Sequence, residues 1–185
     1  MGKVIVWAFV LFFLACPVFA DTGINSCQTL NSEGERYFLT GNITNSGTSN
    51  CITVGVDSVE LDMAGFTIDG DDVADRGFYC YGYTNITLRN GTWQDWDTWT
   101  LNVRGCHDSL FDNLTFTSNT DRWLYSYSTY RSNFTNWTGI GGSKYFKFLH
   151  GKYGDKILFE SFIVRDPVNI QVQVVSQKII GCGSF

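Results

Sequence analysis

Thr84-Asn85-Ile86-Thr87-Leu88-Arg89-Asn90-Gly91-Thr92-Trp93 is followed by Asp108-Ser109-Leu110-Phe111-Asp112-Asn113-Leu114-Thr115-Phe116, and then by Ser132-Asn133-Phe134-Thr135-Asn136-Trp137-Thr138-Gly139. In each copy an apolar residue (Leu88, Phe111, Phe134) stands two places before an asparagine (Asn90, Asn113, Asn136). A threonine (Thr92, Thr115, Thr138) follows that asparagine by two. The asparagines recur at a step of 23 residues. A fixed period in this range marks a repeat architecture.

A second motif keeps the same step: Phe78-Tyr79-Cys80, Leu101-Asn102-Val103 and Leu124-Tyr125-Ser126. Apolar and polar residues alternate within these short runs, so they are strands, and no window carries a sustained helical stripe with caps. A sandwich does not require side chains to recur at a fixed period. A coil rising about 4.8 Å per turn does, because like residues then sit above one another. The expected fold is all-β, a single-stranded right-handed parallel β-helix (a solenoid) of about six coils. Asn90, Asn113 and Asn136 form its asparagine ladder. The ends of such a stack expose unpaired edges. The C-terminal edge could pair with another molecule, so self-association through the helix ends is one expectation.

Outward from the repeats, residues 1–20 read as a secretory signal peptide. Lys3 is its positive start, Val4 to Ala15 its apolar run, and Val18-Phe19-Ala20 offers small residues before a cut at Asp21. That run is too short to span a bilayer, which needs about 20 apolar residues. No other stretch is long enough to be a transmembrane segment. The domain reading is a leader over 1–20, an N-terminal cap region over 21–50 and the β-helix over 51–185. The expected location is secreted, extracellular or at the cell surface.

Export implies an oxidising compartment. Cys27 and Cys51 flank the first strand-like stretch and are expected to form a disulfide that staples this edge. Cys80 and Cys106 lie in neighbouring repeats and are either a pair or buried small hydrophobes, and Cys182 is left over.

The net charge of −5 argues against nucleic acid, which asks for a basic face. The charge is uneven: six arginines face fifteen carboxylates between Asp21 and Gly139, whereas the chain beyond Gly139 is basic. Aromatic residues reach 16%. Trp93, Trp96, Trp99 and Trp123 fall where turns are expected and are read as an exposed binding face. Tyr125, Tyr127 and Tyr130 stand close by in sequence. Flat apolar rings suit sugar rings or a protein surface, so the partner is a polysaccharide or a cell-surface protein.

Val59-Glu60-Leu61-Asp62-Met63-Ala64-Gly65-Phe66-Thr67-Ile68-Asp69-Gly70 resembles the opening coil of NosD-like and pectate-lyase-like β-helix repeat proteins. Secreted archaeal members look especially similar, with a leader, an early cysteine pair and then these coils. The resemblance spans roughly residues 27 to 165. It implies the fold, and among functions it implies polysaccharide lyases, hydrolases or surface adhesins.

Three chemical readings follow. Asp69, Asp71 and Asp72 are the densest carboxylates, with Asp75 and Arg76 next in line. They are the candidate ligands of a calcium ion, either in a lyase or in a site without catalysis. Asn119-Thr120-Asp121 resembles an acidic motif of polygalacturonases, but the later motifs of that family are missing or out of order. Cys106-His107-Asp108 could suggest a metal, yet adjacent strand residues point to opposite faces.

Six sequons occur, and Asn42, Asn85 and Asn133 are the expected glycosylation sites, on the premise that the ladder asparagines are internal. The leading expectation is a non-catalytic binding module. A calcium-dependent polysaccharide lyase or hydrolase comes next, and an end-to-end structural protein third.

Overall fold

The computed structural model describes residues 21–44, 47, 49–118 and 122–140, together with the backbone of 144–149, 157–165 and 170–175. The leader over 1–20, Asn119 to Asp121, His150 and Cys182 lie outside the described residues.

The chain builds two all-parallel sheets. In the first, β1 (Asp21–Ile24), β3 (Arg36–Leu39), β5 (Glu60–Asp62), β8 (Thr87–Gln94), β10 (Leu110–Thr117), β12 (Ser132–Ile140) and β14 (Ile157–Arg165) stack in that order. β6 (Thr67–Asp69) also pairs with β8. The second sheet stacks β2 (Gln28–Leu30), β4 (Asn50–Val54), β7 (Arg76–Tyr81), β9 (Trp99–Arg104), β11 (Arg122–Tyr127), β13 (Lys144–Leu149) and β15 (Ile170–Val175). Successive strands alternate between the sheets along most of the chain, so it winds as a parallel β-solenoid of about five turns, with no helix among the described residues. Residues 21–44 already enter both sheets in register.

The repeat sets the register. Leu61, Leu88, Phe111, Phe134 and Phe159 pair in succession, one per rung. The Phe111 and Phe134 rings stack inside at 4.8 Å and 8°. Flat apolar side chains repeated at the rise of the stack leave water on neither face, and close packing follows from the period itself.

Asn90, Asn113 and Asn136 hold φ of 60°, 51° and 55°. Asparagine tolerates this left-handed conformation better than other residues with a Cβ, and it bends β8, β10 and β12 at one corner. Asn113 Nδ2 donates to Asn90 Oδ1 at 3.0 Å, and Asn90 Nδ2 donates to Asp62 Oδ1 at 3.1 Å. Asn136 Nδ2 turns instead to Asp112 Oδ1 at 2.8 Å. The ladder therefore has one amide rung and finishes on carboxylates at both ends. It lies on the outside of the corner, with Asn113 and Asn136 exposed, so the premise of an internal ladder is corrected.

The tryptophans also differ from expectation. Trp93, Trp96 and Trp123 are fully buried, and Trp99 is 9% exposed. Glycines make the interior slots. A Cβ on Gly77 would stand 2.7 Å from the Trp93 ring, and one on Gly70 would stand 2.7 Å from Trp96. On Gly139 it would run into Trp123. Each indole occupies the space where a neighbouring strand gives up its side chain. The four do not form an exposed platform, because burying such large apolar surfaces is favoured wherever a slot exists.

The expected disulfide between Cys27 and Cys51 is present, with Cα atoms 4.4 Å apart. Cys80 and Cys106 form a second one, resolving the alternative left open above. The linked cysteines are 24 and 26 residues apart, about one coil, so each bond ties neighbouring rungs.

Candidate functional site: the outer face of the second sheet

Strict alternation breaks in the middle strands of the second sheet. Gly77 and Phe78 in β7, Thr100 and Leu101 in β9, and Trp123 and Leu124 in β11 are buried in succession. Residues on either side of each pair then lie on the outer side of the sheet, although in β9 these two, Trp99 and Asn102, are themselves buried beneath their neighbours. Register aligns three columns there: Arg76, Trp99 and Arg122; Tyr79, Asn102 and Tyr125; Tyr81, Arg104 and Tyr127. Rungs of a parallel stack stand about 4.8 Å apart, so each column is a short, straight lane.

Arginines and rings interlock across this face. Arg122 lies over the Trp99 ring at 4.5 Å, Arg104 over Tyr125 at 4.9 Å and Arg76 over Tyr79 at 5.4 Å. Guanidinium planes stack on aromatic faces, which pre-orders both partners. Trp99 is the one tryptophan of the four on this outer face, where Arg122 and the edge-on ring of Tyr125 cover it. Tyr81 is 63% exposed and Tyr127 46%, and they flank Arg104 in a single lane. Arg104 Nε donates to Asn102 Oδ1 at 3.1 Å, and its two terminal nitrogens bond nothing else among the described residues.

The arginines of the first sheet are differently placed. Arg36 reaches Asp21 at 3.0 Å, Glu60 at 3.0 Å and Asp62 at 2.9 Å. Arg89 reaches Glu60 at 2.6 Å and Asp62 at 3.3 Å. Burial pushes the Asp62 carboxyl up. The Ala64 N–H, Arg36, Asn90 and Arg89 outweigh that effect and hold it below its usual range. Those guanidinium groups are neutralised by carboxylates. Arg76 and Arg104 have no carboxylate partner among the described residues; Arg76 bonds the amide oxygen of Asn50 at 3.0 Å.

The remaining candidates sit elsewhere. Asp69 ends β6, and its carboxylate caps the N–H of Asp71 at 2.9 Å. Asp71 and Asp72 follow in the left-handed conformation, at φ of 54° and 55°. Desolvation first, then the charges of Asp95, Asp69, Asp71 and Asp97, raise the Asp72 carboxyl. Asp95 and Asp97 thus come near from the next coil, as their spacing suggests. Among the described residues no three His, Cys, Asp or Glu side chains come together as a metal-binding group, and Asp69, Asp71 and Asp72 form an acidic turn.

Cys106-His107-Asp108 is dispersed. Cys106 is in the disulfide, His107 stacks on Tyr130 at 4.6 Å, and Asp108 holds Arg131 through both oxygens. Asn42, Asn85 and Asn133 are exposed, and the Asn42 Oδ1 accepts from the Thr67 N–H at 2.9 Å.

In the sequence, the 23-residue step of Tyr79, Asn102 and Tyr125 marks a strand and does not by itself reveal a face. The residues two places further on, Tyr81, Arg104 and Tyr127, share that step and were the signal for the lane. No protein-family model, no curated protein and no solved structure matches the chain.

Proposed function

We propose that this protein is an exported, non-catalytic binding module that holds a carbohydrate chain on the outer face of its second sheet. The observation that carries this reading is the pair of exposed tyrosines, Tyr81 and Tyr127, ranged on either side of Arg104 on a flat parallel face. Tyrosine offers a sugar an apolar ring and a hydroxyl with little side-chain entropy to lose. The arginine adds hydrogen-bond donors in a fixed fork. Two disulfides support an oxidising compartment, and with it the leader reading of residues 1–20. The NosD-like resemblance of the opening coil agrees with a surface-binding role.

The test is a glycan array with the purified protein, with and without calcium, followed by analysis of the bound glycans. Retention of intact glycan, reduced in Tyr81→Ala and Tyr127→Ala, is the expected result. New reducing or unsaturated ends would make the protein an enzyme. Absence of binding to every glycan would turn the face toward a protein partner.

A further inference from the structure

We infer that the carbohydrate held on this face is a chain in which an acidic sugar alternates with a neutral one, lying along the solenoid axis. The inference rests on the glycan-binding reading above. In the outermost lane Tyr81, Arg104 and Tyr127 occupy three successive rungs, so the two rings are two rungs apart, about 9.6 Å, with one cation between them. One rung is close to the length of a single pyranose unit in an extended chain. A polysaccharide running up the lane therefore sets every second sugar against a tyrosine face. The sugar between them meets Arg104.

The chemistry of that middle rung is anionic. The Arg104 guanidinium is steadied by the Tyr125 ring and the Asn102 amide oxygen, and its two terminal nitrogens bond nothing among the described residues. No carboxylate of the described residues pairs with it, in contrast to Arg36 and Arg89 on the first sheet. A planar fork held in this way matches the two oxygens of a carboxylate or a sulfate. Within this lane the positions on either side, Tyr81 and Tyr127, are uncharged; the arginines of those two rungs, Arg76 and Arg122, stand in the column at the other end of the strands, over Tyr79 and Trp99. The acidic turn at Asp71 and Asp72 enters the sheet from the opposite end of the strands, and it repels an acidic ligand toward the Arg104 lane.

The experiment is isothermal titration of the purified protein with three probes of equal length: hyaluronan oligosaccharide (alternating acidic and neutral), oligogalacturonate (acidic throughout) and chitin oligosaccharide (neutral). A keratan sulfate oligosaccharide sulfated only on its glucosamine units, in which a sulfated sugar without carboxylate alternates with neutral galactose, separates sulfate from carboxylate recognition. Expected is preferential binding of an alternating probe that weakens as salt rises. Arg104→Gln should then weaken it about tenfold or more, with far-UV circular dichroism unchanged. Chitin bound as well as hyaluronan and indifferent to Arg104→Gln would overturn the acidic requirement and leave the glycan reading standing. Oligogalacturonate bound as tightly as the alternating probes would overturn the alternation. No binding of any of these probes would overturn the inference, and the reading beneath it falls only if the glycan array is blank as well.

Discussion

Gly139 and Trp123 divide one volume between two strands. The inward column of the first sheet runs Ile68, Trp93, Phe116 and then Gly139, so its side chain vanishes at the rung where Trp123 enters from the second sheet. Two coils earlier the exchange is reversed, with Gly77 on the second sheet and Trp93 on the first. A methyl group on Gly139 has no flexible neighbour to displace, because the Trp123 indole is rigid and fully buried. Gly139→Ala is expected to destabilise the protein by about 3 kcal/mol, measured by chemical denaturation. Trp123→Leu combined with Gly139→Ala should recover part of that loss, since the pair shares the space. An unchanged midpoint in the single variant would mean the indole is not where the register puts it. From sequence, Gly139 reads only as the end of a repeat; its partner lies in a different strand.

Within its sheet each strand of the solenoid has hydrogen-bonded neighbours only above and below, and this explains why the elements were legible while their outward faces were not. The 23-residue step fixes which residues stack, so the strands and the phenylalanine column could be read from spacing, and the Cys27–Cys51 bond from the strand-like stretch that the two cysteines flank. Spacing does not say which way a residue points where two successive positions turn inward, as at Trp123 and Leu124. Strict alternation would have put Trp123 outside with Tyr125. The same ambiguity hid the outward lane and the corner position of the asparagines.

The disulfides belong to this scale too, since each fastens one strand to the next in its sheet or to the loop just beyond it. Closing a loop of about 25 residues stabilises a fold by about 3 kcal/mol through the unfolded chain. Cys80→Ser with Cys106→Ser is expected to cost roughly that amount, less whatever the two buried hydroxyls find as partners. Differential scanning calorimetry of oxidised, reduced and doubly substituted protein would measure it, and identical transitions in all three would contradict the linkage.

The whole molecule is a stack of interchangeable rungs over β8 to β12, and this interchangeability is testable. Removing residues 109–131 joins Asp108 to Ser132, so His107-Asp108-Ser132-Asn133-Phe134 stands in place of His107-Asp108-Ser109-Leu110-Phe111. The deletion equals the step between β10 and β12, so β12 can settle on β8 in the old register. The shortened chain is expected to keep its β circular dichroism signature and a cooperative transition, with a lower Tm because Trp123 no longer fills the slot at Gly139. Removing only residues 109–120 shifts every later column and should abolish the fold. Equal behaviour of the two deletions would argue against a repeat-governed register.

The two bonds also give the stack a mechanical polarity. Among the described residues both lie in its first part, joining coils up to Cys106, while the rungs from β10 onward are held to one another by packing, backbone hydrogen bonds and side-chain hydrogen bonds such as those of Thr135 and Asn136 to Asp112, with no disulfide among the described residues. Under tension applied between its ends, the residues enclosed by the two bonds, 28–50 and 81–105, cannot lengthen, and the coils beyond Cys106 peel away singly. Each frees about 23 residues, or about 80 Å of contour. The lane of Tyr81, Arg104 and Tyr127 straddles that boundary, so a load transmitted along the chain would loosen its last rung while the first two stay anchored. A ligand gripped there would be let go one contact at a time.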